Sequence, residues 1–293
     1  MNQYFKEGHE PEARSFQEFY AKAYEELLVP PAATHLKRLS KLDQMIGGLR
    51  PNEFSILCGA TGSGKTTLCS NISADLVQQG IPHYVASVET GPTDYMKRIM
   101  SVYAREDLNT GDPIRVEKAR GLHAQFGDIL QANNQYLALY DNRIPLEKLL
   151  ADLSHMAIVK GAKVAILDNF NFFLDCVKAS DERQEMDRIV HELIIFCKHV
   201  PLHIIMVMHP KKTMDGRVES EFDIKGSSTS VQEAQNVFLF NRPHQDLIDA
   251  GKATIMSREL KIAKVRRRGK YVGHRLLLNS FDGTSYTEGD VVR

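Results

Sequence analysis

The sequence predicts an α/β fold, a mostly parallel central sheet flanked by helices and ending in an antiparallel hairpin, on three observations. First, Gly59, Ala60, Thr61, Gly62, Ser63, Gly64, Lys65, Thr66 and Thr67 contain G-x-x-x-x-G-K-[ST] in full. They stand between a short apolar run, 54–58, and a helical pattern, 68–79, which is the strand, loop and helix this motif requires. Second, apolar runs of strand length alternate with amphipathic stretches of helix length, the order that builds a parallel sheet with helices on its faces. Third, two apolar runs, 260–265 and 273–278, read as a hairpin around Arg266-Arg267-Arg268-Gly269-Lys270.

At the N-terminus, residues 1–11 are polar. From 12 to 28, Phe16, Phe19, Tyr20, Ala23 and Leu27 line one helical face, and Pro30-Pro31 ends the helix. The organisation expected is an N-terminal segment, 1–35, whose helix packs on its own domain or docks on a neighbouring subunit, and an ATPase domain over 36–293. Residues 84–88 form a second buried strand with Glu89 at its carboxyl end, where ligands of open α/β sheets sit. Helices are expected at 94–104 and within 116–131, with Pro113 between them, then a short strand at 136–140 and a helix at 146–160. Residues 163–168 are a hydrophobic strand ending in Asp168, the Walker B pattern, which gains weight downstream of a full phosphate loop. A helix at 182–198 leads to a strand at 203–208 with His209 at its end. The stretch 210–230 lacks periodicity and is too long for an ordinary connection, so a functional loop is expected there. Lys211, Lys212, Arg217 and Lys225 make it positive, and Asp215, Glu219, Glu221 and Asp223 dilute that charge. A strand at 236–240 precedes the hairpin.

These residue types state a chemistry. The glycines let backbone N–H groups close on phosphate oxygens, the helix N-terminus adds partial positive charge, Lys65 reaches the β- and γ-phosphates, and the Thr66 hydroxyl ligates Mg²⁺. Asp168 completes the Mg²⁺ shell, and His209 at a neighbouring strand end suits a polar sensor of the γ-phosphate. ATP and Mg²⁺ are the ligands expected. Five of the seven residues from Lys264 to Lys270 are basic, dense enough to need solvent or an anionic partner, either DNA or a neighbour's ATP.

Composition narrows the class. Lys+Arg and Asp+Glu are both 37 in 293 residues, which argues against a bulk polycation and leaves room for a local basic groove. Cys58, Cys69, Cys176 and Cys197 form no C-x-x-C pair and no ligand-spaced cluster, so zinc and a disulfide framework are not expected and a reducing compartment is. No run reaches the length of a membrane span, and the N-terminus has no signal character, so no membrane partner and an intracellular, cytoplasmic location are expected.

Taken in order, several stretches resemble the ring-forming RecA-like helicases of superfamily 4, the group that holds DnaB-type replicative helicases, phage primase-helicases and the mitochondrial helicase Twinkle. They are Ser87-Val88-Glu89-Thr90, Ile166-Leu167-Asp168-Asn169, Val207-Met208-His209-Pro210-Lys211-Lys212, Lys225-Gly226-Ser227-Ser228 followed by Val231-Gln232-Glu233-Ala234-Gln235-Asn236-Val237, and Lys264-Val265-Arg266. The resemblance implies a RecA-like core in which Glu89 polarises the attacking water, Asp168 holds Mg²⁺, and His209 senses the γ-phosphate and reports to the loop after it. It also implies that Lys211, Lys212, Arg217, Lys225 and Gly226 contact the DNA backbone, and that Arg266, with Lys264 beside it, is an arginine finger for the adjacent subunit's ATP. Single-stranded DNA, a homo-oligomeric ring of six subunits, and a primase or loader are the partners it implies, in a bacterial or phage-infected cell. Asn171 departs from the Gln that DnaB-type members often carry, and only the 12–28 helix precedes the ATPase segment in this sequence.

Three functions follow. The leading one is ATP-driven translocation on single-stranded DNA with duplex unwinding. The second is a RecA-like strand-exchange or single-strand-binding ATPase. The third is a ring ATPase like KaiC that has no nucleic acid partner, against which the basic loop after His209 argues.

Overall fold

Residues 54–58 are apolar except for Ser55, and in the computed structural model they form a strand buried at every position, as expected of a parallel strand covered on two faces. The structure describes residues 16–29, 32–87, 90–110, 113, 116–132, 136–138, 144–168, 182–211, 216–225, 228–267, 269–280 and 282–292. The chain divides into two compact units, Met1–Ala32 and Ala33–Arg293.

The first unit carries helix α1 (Phe16–Leu28). Phe16, Tyr20, Tyr24 and Leu27 recur at helical spacing along it and are exposed, with the Tyr20 and Tyr24 rings stacked 6.3 Å apart.

In the second unit the order is α2 (Ser40–Ile46), β1 (Phe54–Cys58), α3 (Lys65–Gln78), β2 (His83–Ser87), α4 (Pro92–Ala104), α5 (Val116–Ala132), β3 (Tyr136–Ala138) and α6 (Leu146–Ile158). There follow β4 (Val164–Asp168), α7 (Glu182–His199), β5 (His203–Met208), α8 (Ser228–Glu233), β6 (Asn236–Asn241), α9 (Gln245–Asp249), β7 (Arg258–Val265), β8 (Arg275–Asn279) and β9 (Thr287–Val292). Among the described residues the strands form one sheet in the order β3-β2-β4-β5-β1-β6-β7-β8-β9. Pairing is parallel from β3 to β6 and antiparallel from β6 to β9. The expected α/β architecture is therefore observed.

Strand side chains alternate between two cores. Phe54, Ile56 and Cys58 of β1, with Ile204, Met206 and Met208 of β5, meet Leu149 and Leu153 of α6 and Ile189, Val190 and Leu193 of α7. Leu57, Ile205 and Val207 point the other way, into Leu68, Ile72 and Leu76 of α3 and Tyr95 and Ile99 of α4.

Several boundaries differ from the sequence reading. The 210–230 stretch is not irregular throughout: Pro210 bridges Ile224, a 3-10 turn spans Glu221–Asp223 with Ser220 and Asp223 capping each other, and α8 begins at Ser228. The edge strand β9 was not foreseen, because its sequence is polar and lacks alternation. It has a structural task, since Glu288 accepts hydrogen bonds from the backbone N–H groups of Lys41 and Leu42 in the first turn of α2 (2.7 Å each), where the helix dipole favours a carboxylate. Among the described residues no helix is long and apolar enough to cross a membrane.

Candidate active site

The carboxyl ends of β4, β5 and β1 lie side by side in the sheet, so Asp168, His209 and the loop after Cys58 meet at one place. The loop's backbone dictates its glycines. Gly64 has φ of 94°, and a Cβ there would stand 2.6 Å from Tyr286 Oη; at Gly59 a Cβ would stand 2.4 Å from the Phe240 carbonyl oxygen of β6. Lys65 opens α3 and is buried, donating from Nζ to the carbonyl oxygens of Gly59 (2.7 Å) and Ala60 (2.9 Å). Ser63 Oγ is buried with no hydrogen-bond partner.

A cavity of about 260 Å³ opens here, lined by Thr61, Gly62 and the 64–67 residues together with Arg98, Asp168, His209 and Arg258. Three cations, Lys65, Arg98 and Arg258, therefore border it together with one carboxylate. Arg258 is fixed by hydrogen bonds from Nε to the Ser63 carbonyl (2.6 Å) and from Nη1 to the Ser257 carbonyl (2.7 Å), and Arg98 Nε is buried without a hydrogen-bond partner. Cys58 stays a thiol at this strand end, since burial pushes it up to about 12 although the Lys65 charge pulls the other way.

The donor set fits a nucleotide triphosphate with Mg²⁺. The spare buried hydroxyl, the glycine cradle, the helix N-terminus and the excess of cations all suit phosphate oxygens. Among the described residues no group of three or more His, Cys, Asp or Glu side chains is placed to cage a metal ion. Mg²⁺ binds through few protein groups plus substrate phosphates and water; Thr66 and Asp168 are the groups on this cavity that would hold it.

The sequence-predicted residues fall into several sets. Lys65, Thr66, Asp168 and His209 are brought together. Glu89, Lys212 and Gly226 lie outside the described residues, although Ser87, two residues before Glu89, pairs with Asp168. Lys211 is exposed, with Nζ donating to the Phe222 carbonyl (2.8 Å), and the Lys225 amide donates to the His209 carbonyl (3.1 Å), closing the base of the loop on His209.

Arg217, which the resemblance assigns to the DNA backbone, is held by groups of its own chain. Its guanidinium bonds Glu219 Oε1 (2.9 Å), Glu259 Oε2 (2.9 Å) and the Arg242 carbonyl (2.6 Å), and its side chain is 17% exposed. Burial alone would raise the Glu219 carboxyl, yet Arg217, Arg275 and Lys261 hold it below the usual carboxylate range. Asn241 clamps the next residue, Val218, through both its N–H (2.9 Å) and its carbonyl (2.8 Å). Arg217 thus faces a second cavity, of about 250 Å³, behind Ala60, Thr61 and Ser63 of the phosphate loop.

Lys264 and Arg266 lie far from the cavity. Arg266 Nη2 donates to the carbonyls of Gln232 (2.8 Å) and Glu233 (3.3 Å), and Lys264 Nζ to those of Val231 (3.2 Å) and Gln232. They thereby satisfy the last carbonyls of α8, where cations are favoured. Burial, and then the Arg266 charge, hold Lys264 below its usual range. The register places them at the opposite end of the sheet from the loop: Val265 pairs with Asn236, which pairs with Ser55, whereas Cys58 pairs with Leu239. The eight-residue strand β7 therefore has Arg258 in the cavity and Arg266 just past its far end, about 27 Å away at ~3.4 Å per residue.

Arg98 and Arg258 were missed by the sequence reading. Each is a single cation outside any motif, and nothing in the spacing singles it out.

The fold and cavity together define a P-loop NTPase with a RecA-like sheet. Residues 36–280 match the DnaB-like helicase C-terminal domain, and the chain belongs to that family, within the superfamily-4 helicases. Among curated proteins it is similar to a DNA helicase/primase of Enterobacteria phage T3, 24% identical over 208 residues, which cover 68% of this chain and 37% of the phage protein. Among solved structures it resembles a DnaB-like replicative helicase studied with its interactions with primase, at TM-score 0.75 and 16% identity, covering 97% of this chain and 69% of that one. It also resembles a second solved structure, an ATPase domain, at TM-score 0.72 and 17% identity, covering 95% of this chain and 100% of that one. These two likenesses concern the fold.

Proposed function

We propose that this chain is the motor domain of a replicative DNA helicase that hydrolyses ATP in a homo-oligomeric ring, translocates on single-stranded DNA and unwinds duplex. The observation that carries the reading is the separation of Arg266 from the cavity by the length of β7, so that its charge lies beyond reach of its own chain's ATP. A finger at one end of a sheet and a phosphate loop at the other suit a head-to-tail interface, which closes into a ring when the rotation allows.

Within one subunit, Lys65, Arg98 and Arg258 neutralise the triphosphate, and Thr66 and Asp168 would hold Mg²⁺, which when bound would supply further positive charge beside the phosphates. Glu89 orients the water, and Arg266 of one copy, with Lys264, stabilises the transition state in the next, a contribution on the order of 10³ to 10⁵ in rate. His209 borders the phosphate cavity and its carbonyl holds the base of the loop that carries Lys211 and Lys225, so a shift of the imidazole on phosphate release is passed to DNA contacts made by that loop and by Lys212 and Gly226. Residues 1–35 serve as a linker segment whose helix α1 lays its exposed apolar stripe on the adjacent copy. A primase or loader is a partner in keeping with the phage relative, a helicase/primase.

The test is complementation. Lys65→Ala removes the phosphate-binding cation and Arg266→Ala removes the finger, so each alone should hydrolyse ATP poorly with single-stranded DNA present. Mixing them should restore turnover through interfaces that join an intact finger to an intact loop. No recovery, in assemblies shown by mass to contain both subunits, would refute a finger acting between subunits. Turnover that ignores single-stranded DNA would instead favour a ring ATPase without nucleic acid.

A further inference from the structure

We infer that Glu53 is a positioning residue for the inter-subunit finger: its buried carboxylate anchors Arg267 and so fixes the direction in which Arg266 leaves the sheet. The inference rests on the reading of Arg266 given above.

Glu53 directly precedes β1 and is 6% exposed. Its Oε1 accepts a 2.7 Å bond from Arg267 Nε, and its Oε2 a 3.5 Å bond from Asn236 Nδ2. Asn236 Nδ2 also donates to Ser55 Oγ (3.0 Å), which lies 2.9 Å from His203 Nε2, while His203 Nδ1 lies 2.8 Å from the Arg50 carbonyl. For a neutral imidazole one proton arrangement satisfies all of these. The carbonyl must accept from Nδ1–H, so Nε2 accepts from the Ser55 hydroxyl, which in turn accepts from Asn236. Burial keeps His203 neutral, lowering it to about 4, in agreement with that arrangement. The backbone adds a second tie at the same level: the Arg266 amide donates to the Gln235 carbonyl (3.0 Å), and Gln235 bonds Phe54 through its own amide (3.0 Å) and its Oε1 (2.8 Å).

This network is not what a core requires. A carboxylate withdrawn from water costs several kcal/mol, and apolar replacements of buried charges are often as stable. The charge that Glu53 meets belongs to no core residue either, since the Arg267 side chain is 64% exposed on a turn whose Arg266, Gly269 and Lys270 are also exposed. That turn borders an open cavity of about 700 Å³ with Arg50, and among the described residues Glu53 is the one carboxylate ion-paired with it. A finger must lie within about an ångström of its place to act, and misplacement of that size costs on the order of a hundredfold.

The variants are Glu53→Met, which removes the acceptor at similar volume; Glu53→Gln, which keeps one; and Arg267→Ala, which cuts the same bond from the exposed side. Without nucleotide, amide exchange over 265–271 should quicken in Glu53→Met and Arg267→Ala, and the midpoint of unfolding of Glu53→Met, which leaves no buried charge behind, should stay near wild type. With ATP and single-stranded DNA, Glu53→Met should bind nucleotide normally and turn over on the order of ten- to a hundredfold more slowly, with Glu53→Gln recovering much of the loss. Mixing Glu53→Met with Lys65→Ala should restore turnover, and mixing it with Arg266→Ala should not, because both lack a working finger. The double variant Glu53→Met with Arg267→Ala should be no worse than the poorer single one. Wild-type turnover by Glu53→Met, lost nucleotide affinity, unchanged exchange in the turn, or rescue by Arg266→Ala would each overturn the inference. If Lys65→Ala and Arg266→Ala fail to complement each other, it is the inter-subunit reading that fails; if they complement while Glu53→Met behaves as wild type, only the role of Glu53 does.

Discussion

Replacing Arg217 by Ala tests whether that residue builds the fold beside the phosphate loop or, as proposed for Lys211, contacts DNA. In the folded chain Arg217 is the closest cation to Glu259, whose side chain is 5% exposed; Arg275 Nη1 stands 3.9 Å from the same carboxylate, beyond a hydrogen bond. The His244 amide, at 3.0 Å, is what else holds Oε2. Removing one partner of a buried ion pair costs about 3 to 5 kcal/mol because the other charge is left uncompensated. Arg275 and the amide offset part of that, so a loss of about 3 kcal/mol is expected, or about 6 °C in Tm for a unit of this size. Lys211, exposed on the loop, should show the opposite pattern: Lys211→Ala should cost under about 0.5 kcal/mol but flatten the dependence of single-stranded DNA affinity on salt by about 0.7 in log–log slope, the share of one phosphate. The assays are urea unfolding monitored by circular dichroism and fluorescence-anisotropy titrations at several salt concentrations. If Arg217→Ala flattened the salt slope as Lys211→Ala does while unfolding at the wild-type urea concentration, the ion-pair network would be refuted and Arg217 returned to the DNA surface.

Three further outcomes are expected. Gly64→Ala should sharply weaken nucleotide binding, because φ of 94° and a Cβ 2.6 Å from Tyr286 Oη force the loop to shift; calorimetric titration with ATP measures it, and unchanged affinity would show that the loop tolerates the methyl group. Glu89→Gln should bind ATP and lose most hydrolysis, since an amide is a poor base for orienting water; a collapse of affinity with normal turnover of what binds would show a different role. His203, lowered from 6.5 to about 4 by burial, binds a proton more readily unfolded than folded. Its contribution is therefore present in full above pH 6.5 and lost as pH falls towards 4, up to about 3 kcal/mol at 1.36 kcal/mol per pH unit. Unfolding free energies at pH 7 and pH 4.5 should differ less in His203→Gln than in wild type, and an equal difference in both proteins would contradict a buried neutral imidazole.

Much of the fold is legible in the sequence because its signals are local. The phosphate loop needs glycines at set positions for backbone reasons, and 54–58, 164–168 and 203–208 are too apolar to be anything but buried strands. Lys65, Thr66, Asp168 and His209 could be named because each occupies a strand end or helix start whose place in a parallel sheet is fixed by topology. Edge strand β9 and helix α9 escaped, since polar, exposed segments carry no periodicity to read. Local charge and resemblance suggested roles for Arg217 and Arg266, and sequence had no means of telling that their surroundings differ.

What the sequence by itself determined is the chemistry at β1: a phosphate loop opening a helix, an acid at the end of a buried strand, and a basic hairpin near the C-terminus. Tertiary structure decided which charges share a space. It brought Arg98 and Arg258 to the phosphate cavity, tied Arg217 to Glu219 and Glu259, carried Arg266 to the far end of β7, and set Glu53 beneath the turn that follows it. The physical reason is that an ion's partner is chosen by distance across strands, and strand order and register are properties of the whole sheet that no local stretch of sequence encodes.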